Sequence, residues 1–164
     1  MDDIDAFWER AQQHADLGTV SSYLGENVIA TLRPPAWAYG ATPEEADELL
    51  GLVLDGTKTT TSSALWDYEA EGEELPTVGT LGIVVDSTGA PRALVVTTDV
   101  RTVPFDQVDE MHARDEGEGD RSLAYWRRVH EDFFTEHAAH DRGFAPDMPV
   151  VLERFRVLHA EPPH

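Results

Sequence analysis

Lys58 follows Gly56-Thr57 where a helix gives way to a strand, and a lysine at such a junction can be held over a concave sheet edge. Drawn partly out of water, an ammonium group gives up its proton more readily and can act as a base or orient an oxyanion; left exposed, it is an ordinary cation. Thr61 lies three residues on. Strict strand alternation would turn its hydroxyl away from Lys58, whereas a bulge or turn over 58–60 would bring the two together. A second constellation, His112-Ala113-Arg114-Asp115-Glu116-Gly117-Glu118-Gly119-Asp120, packs four carboxylates and a histidine around two glycines and reads as a loop. It is either a solvated acidic turn that caps the next helix through Asp120 or Ser122, or a device that points Glu116 into a cleft opposite Lys58. In the second case the lysine would keep the carboxylate ionised or share its proton. The ligand spacing of an EF-hand is absent.

Trp66 and Tyr68 follow the lysine strand, and Trp66 is either a core residue of a small barrel or a platform on which a base stacks. His130, His137 and His140 fall on one long helical pattern; the last two are a turn apart, a weak metal-ligand signal without a third donor at clear spacing. No glycine-rich phosphate loop, Ser/His/Asp order or HExxH pattern occurs.

These residues need elements to position them. Ile4, Phe7, Trp8, Ala11 and Ala15 recur at helical spacing over 3–16, behind an acidic start that suits the helix dipole. A loop broken by Gly18, Gly25, Pro34, Pro35 and Gly40 follows. Thr42-Pro43-Glu44-Glu45 is a strong helix start, with a capping threonine, a proline for the first turn and Glu45 to complete a capping box. That helix runs over 43–55 on the apolar face Ala46, Leu49, Leu50, Val53 and Leu54, and ends at Gly56 in the left-handed cap position. Strands are expected at 59–62, 81–85, 93–103 and 150–158, with a hairpin turn at Asp86-Ser87-Thr88-Gly89. Helices are expected at 105–114 and 122–140. Hairpin connections, with strands segregated from helices, argue for an α+β domain around a small β-barrel. Residues 1–41 are expected to be a helix and loop packed on the domain formed by 42–160, with 17–41 a candidate lid.

A chain of 164 residues with 41% hydrophobic residues suits one globular domain. Without cysteine it can have neither disulfides, thiolate zinc sites nor a cysteine nucleophile. No apolar run is long enough to span a bilayer and the first residues are acidic, so a cytoplasmic protein without membrane contacts is expected. With 32 acidic against 12 basic residues, the net charge of −20 repels duplex DNA. Screening limits that field to roughly 8 Å, so a nucleoside or short RNA can still enter a local basic cleft.

Leu54-Asp55-Gly56-Thr57-Lys58-Thr59-Thr60-Thr61-Ser62-Ser63 resembles the GxKxxT segment of the ASCH domain, a relative of the PUA barrels of RNA-modifying proteins. The likeness continues through Glu73 to Gly79, the strand Val95 to Val100, Pro104 to Val108, Asp115 to Asp120, Tyr125-Trp126-Arg127, Phe133-Phe134 and the Phe155 strand, covering about residues 43–158. What the resemblance implies is a PUA-like barrel with a cleft at the lysine segment. Small members of the family deacetylate N4-acetylcytidine with a lysine, a threonine and a glutamate; others cleave single-stranded RNA with metal help. Carried over by position, these three are Lys58, Thr61 and Glu116. In that role Thr61 is the nucleophile, Lys58 helps remove its proton and steadies the oxyanion, and Glu116 passes a proton to the leaving amine. Substrate contacts are expected from Ser63, Trp66, Tyr68, Asp115 and Asp120. Ser63 stands where the small hydrolases carry an arginine. The expected partner is a modified nucleoside or short single-stranded RNA, and no cofactor is implied apart from a divalent cation if the chain is a ribonuclease. A non-catalytic RNA or metabolite binder is the further alternative.

Overall fold

The computed structural model describes residues 2–14 and 33–162. Thr42 starts α2 (Pro43–Leu54) by accepting the Glu45 N–H at 3.1 Å, while the Glu45 carboxylate reaches back to the Ala41 N–H at 2.7 Å, one residue earlier than in a standard capping box. Gly56, at φ 84°, turns the chain out of the helix towards Lys58.

Among the described residues, five strands form one sheet in the order β1-β3-β4-β5-β2: β1 (Ala36–Trp37), β2 (Thr60–Ala64), β3 (Leu81–Val85), β4 (Pro91–Pro104) and β5 (Pro149–Ala160). Only the short β1–β3 pair is parallel; the rest is antiparallel, and the hairpin at 86–90 closes with the Asp86 N–H on Ala90 O at 2.9 Å. The α+β class is thus observed. The sheet, however, is open: β1 and β2 are its two edges and do not pair with each other, so the expected barrel is only an approximation.

Alternation along β3 and β4 explains where the first two helices dock. Ile83, Leu94 and Val96 take Phe7, Trp8 and Ala11 of α1 (Asp3–His14), while Val84, Ala93 and Val95 take Leu50 and Val53 of α2. Arg10 fastens α1 to the far end of β5 with two bonds to the Glu161 carboxylate, at 2.7 and 2.9 Å. A third core lies under α5 (Leu123–Glu136), where Trp126 and Phe134 pack on Phe105, Met148, Val150 and Leu152.

Several expectations change in detail. The strand through Ser62 runs on to Ala64 and passes straight into an unforeseen helix, α3 (Leu65–Glu71), which has no side-chain cap to announce it. The helix expected over 105–114 is a 3₁₀ turn at Phe105–Gln107 and then α4 (Glu110–Glu116), restarted by Asp109 accepting the His112 N–H at 2.9 Å. Because α5 ends at Glu136, His137 and His140 do not share a helix face, and His140 points to Asp67 instead (3.7 Å). Residues 15–16 of the first helical pattern and most of the 17–41 segment, including Gly18 and Gly25, lie outside the described residues.

Candidate functional site

Lys58 belongs to neither α2 nor β2. Its own N–H donates to Leu52 O at 3.0 Å, and the next N–H, of Thr59, donates to Asp115 O at 2.8 Å, which pins the link to the end of α4. The side chain is 2% exposed, and its ammonium lies 5.7 Å from the centroid of the Tyr39 ring. It donates to Thr60 O at 2.9 Å and to Glu116 Oε1 at 3.3 Å, with Glu118 Oε2 at 3.7 Å. Strand alternation therefore does not separate Lys58 from Thr61, since the strand begins at Thr60, after the lysine.

Glu116 is the last residue of α4, 1% exposed, and five donors surround it. Oε2 accepts from the Ser62 hydroxyl, from His112 Nε2 at 2.8 Å and from the Trp126 indole N–H at 2.5 Å; Oε1 faces Lys58 Nζ and His130 Nε2, the latter at 3.4 Å. Burial alone would push this carboxyl up. The positive charges of His130 and Lys58 and the bonds from His112 and His130 outweigh it and hold Glu116 well below the ordinary carboxylate range. His130 responds in the opposite sense: burial lowers it, but Glu116, with Glu118 and its own backbone bond, raises it overall. Its Nδ1–H donates to Trp126 O at 2.8 Å and its ring stacks on the Trp126 indole at 4.3 Å, so Nε2 is the nitrogen that faces the carboxylate.

Gly117 and Gly119 bracket Glu118, both with left-handed backbones (φ 77° and 58°). A Cβ on Gly117 would lie 2.8 Å from Thr57 O, and one on Gly119 would lie 2.3 Å from the Tyr125 ring, so the loop fits only as glycine-Glu118-glycine. Burial and the adjacent Glu116 charge push Glu118 up to about 7, with Lys58 and His130 pulling the other way. Its side chain is 20% exposed.

These groups open onto a cavity of about 460 Å³ whose floor includes Lys58, Thr61, Ser62 and Ser63. Tyr39, Tyr125 and the half-exposed Phe133 supply aromatic wall, and Glu45, Glu48, Asp67 and Glu118 give it a negative rim. The Thr61 hydroxyl has no protein hydrogen-bond partner among the described residues. Ser63 Oγ is 2.9 Å from the Tyr68 hydroxyl, which sits behind it. Trp66, Asp115 and Asp120 lie off the cavity wall. Trp66 packs on the α5 core with its ring edge-on to His140 (5.2 Å) and under the Arg142 guanidinium (4.9 Å). Asp115 pairs with Arg154 at 2.8 Å, and Asp120 accepts the Ser122 N–H at 2.9 Å.

His112, Ser62, Trp126, His130 and Glu118 are the polar partners that sequence reasoning did not assign to the site. The spacing His112/Glu116 and Trp126/His130, each one helical turn, was the available signal. Glu116, Glu118 and His130 bring one ligand atom each within 4.8 Å of one another, the arrangement a divalent cation would need. The Lys58 ammonium already stands against both carboxylates, so the cation these residues hold is the chain's own.

An α+β sheet with a lysine buried beside its edge strand and carboxylates brought in from a following helix defines the class of domain. The chain belongs to the ASCH domain family, whose model matches residues 35–159. Two solved structures are similar over nearly the whole length. The ASCH domain from Lactobacillus crispatus JV V101 is 33% identical with a TM-score of 0.74, covering 92% of this chain and 94% of that one. A protein from Enterococcus faecalis V583 is 32% identical with a TM-score of 0.79, covering 94% of this chain and 87% of that one. Comparison with curated protein sequences returns no match. Among the described residues, no helix is long and apolar enough to cross a membrane.

Proposed function

We propose that this chain is an amidohydrolase that removes an acyl group from the exocyclic nitrogen of a cytidine-like nucleoside. The observation that carries the reading is the buried Lys58 ammonium, fixed by Glu116 and opening onto the cavity that Thr61 also lines. Thr61, its hydroxyl without a hydrogen-bond partner among the described residues, attacks the acyl carbon. Lys58, once its ammonium has passed a proton to a carboxylate of the cleft, takes the hydroxyl proton and then stands as an ammonium beside the oxyanion. The C–N bond breaks, the amine leaves with the proton that Lys58 first gave up, and water hydrolyses the ester, its hydroxyl going to the acyl carbon and its proton back to Thr61. Glu116 keeps the lysine in place, and the Tyr39, Tyr125 and Phe133 rings offer a nucleobase apolar faces.

The negative rim favours a free nucleoside over RNA. Glu45, Glu48, Asp67 and Glu118 face any phosphate that approaches, and among the described residues no arginine lines the cavity to offset them. A ribonuclease would need added cations at that rim, and a binding module would show saturable binding without turnover.

The test is incubation with N4-acetylcytidine and chromatographic detection of cytidine. The expected result is release that disappears in Lys58→Ala and Thr61→Ala. No release by the wild type, or release unchanged in Lys58→Ala, overturns the reading.

A further inference from the structure

For Lys58 to take a proton from Thr61 it must first lose one, and the residue that receives it needs a lone pair free and a path to the leaving nitrogen. Glu116 has no lone pair to spare. Both its oxygens are engaged by donors, three on Oε2 and two on Oε1, and although it borders the cavity its side chain is only 2% exposed. Glu118 is less encumbered. It lines the cavity, is partly exposed, and holds Oε2 3.7 Å from Lys58 Nζ. Its placement is built into the backbone by two left-handed glycines packed against Thr57 and Tyr125.

Resting on the amidohydrolase reading above, we propose that Glu118 is the acid–base residue of this site, accepting the Lys58 ammonium proton and delivering it to the departing amine nitrogen. The protons balance. Transfer from the ammonium to the Glu118 carboxylate gives a neutral amine and a carboxylic acid. The amine takes the Thr61 proton as the C–O bond forms, the acid protonates nitrogen as the C–N bond breaks, and the site is left as ammonium and carboxylate. In the second half the carboxylate takes a proton from the attacking water and returns it to Thr61 Oγ as the ester opens. Glu116 stays ionised throughout and stabilises the positive groups around it.

The charged environment agrees with this division of roles. Glu118 faces Lys58 from the α2–β2 link, Glu116 from α4, His130 and Tyr125 from α5, and the Glu48 carboxylate on α2 lines the same cavity. Burial and the Glu116 charge bring it to about 7, where one carboxyl can both take and give a proton at neutral pH.

The experiment joins a side-chain carboxyl NMR titration of the intact wild type with turnover of N4-acetylcytidine by Glu118→Gln and Glu118→Asp. The expected result is a Glu118 resonance that titrates near pH 7 while Glu116 stays ionised, with kcat about 100-fold lower in Glu118→Gln at nearly unchanged KM and partly restored in Glu118→Asp. Titration of Glu116 in place of Glu118, or a Glu118→Gln protein as active as an active wild type, overturns the inference alone. A wild type with no turnover removes the amidohydrolase reading, and this inference with it.

Discussion

His112 and Glu116 stand one turn apart on α4 and meet through Nε2 and Oε2 at 2.8 Å, so this short helix presents a histidine–carboxylate pair as a unit. The same oxygen also takes the Ser62 hydroxyl from β2 and the Trp126 indole from α5, and three elements distant in sequence converge on one atom. What holds the site together also holds the domain together.

Replacing Glu116 with alanine strips five donors of their acceptor and leaves the buried Lys58 charge without its main counter-ion. The expected cost is about 3–5 kcal/mol in urea unfolding at pH 7. The pH dependence follows from the sign of the shift: a carboxyl held below its unfolded value contributes stability in full above about 4.5 and loses it as pH falls through the folded value. Wild type should therefore weaken on acidification below pH 4.5, while Glu116→Gln loses less over that interval.

Glu118 carries the opposite sign. Its folded value, about 7, exceeds the ordinary 4.5, so the unfolded chain releases the proton first and stability declines as pH rises from 4.5 to 7, then levels. Glu118→Gln should accordingly be more stable than wild type at pH 8, by about 1–2 kcal/mol after allowance for partial exposure, and equal to it at pH 4. Denaturant midpoints at the two pH values decide this.

Phe133 is 37% exposed yet lines the cavity, so its ring has apolar area available to a ligand. Phe133→Ala should raise KM for an acylated nucleoside by about 5- to 100-fold, the range expected for one base–aromatic stack, with little change in kcat or thermal midpoint. An unchanged KM would remove Phe133 from the binding surface.

Gly117→Ala asks for a left-handed alanine whose methyl would stand 2.8 Å from a backbone oxygen, an obstacle no rotamer change relieves. A loss of about 2–3 kcal/mol in thermal or urea unfolding is expected, together with reduced activity as Glu118 is displaced.

Much of this arrangement was legible because its determinants are local. Thr42-Pro43 and the apolar face behind it specify α2, and the alternating Val-rich runs specify β3, β4 and β5. Lys58 is marked by its place after Gly56, and Glu116 by the acidic glycine-rich run and by the family pattern. The parts not foreseen depend on distant partners. β1 follows Pro34-Pro35, which reads as pure loop, and exists because Pro35 O accepts the Ile83 N–H at 2.9 Å. α3 begins at Ala64 with no capping side chain. His130 becomes charged-state relevant only because a carboxylate 14 positions earlier is folded against it, and no spacing rule links a residue on α5 to the end of α4. Asp115 and Glu116 are adjacent in sequence, but helical rotation sends one to Arg154 and the other into the interior, which composition alone does not distinguish.

The His130 ring is gripped twice, by a bond from Nδ1–H to the carbonyl one turn back on its own helix and by the flat indole beneath it. An imidazole restrained in this way has no freedom to swing outward and greet a visitor. Shape selection then falls to the guest: compounds rigid in the right outline should lose little entropy on entering, and crystals of the free protein should accept them by soaking without cracking.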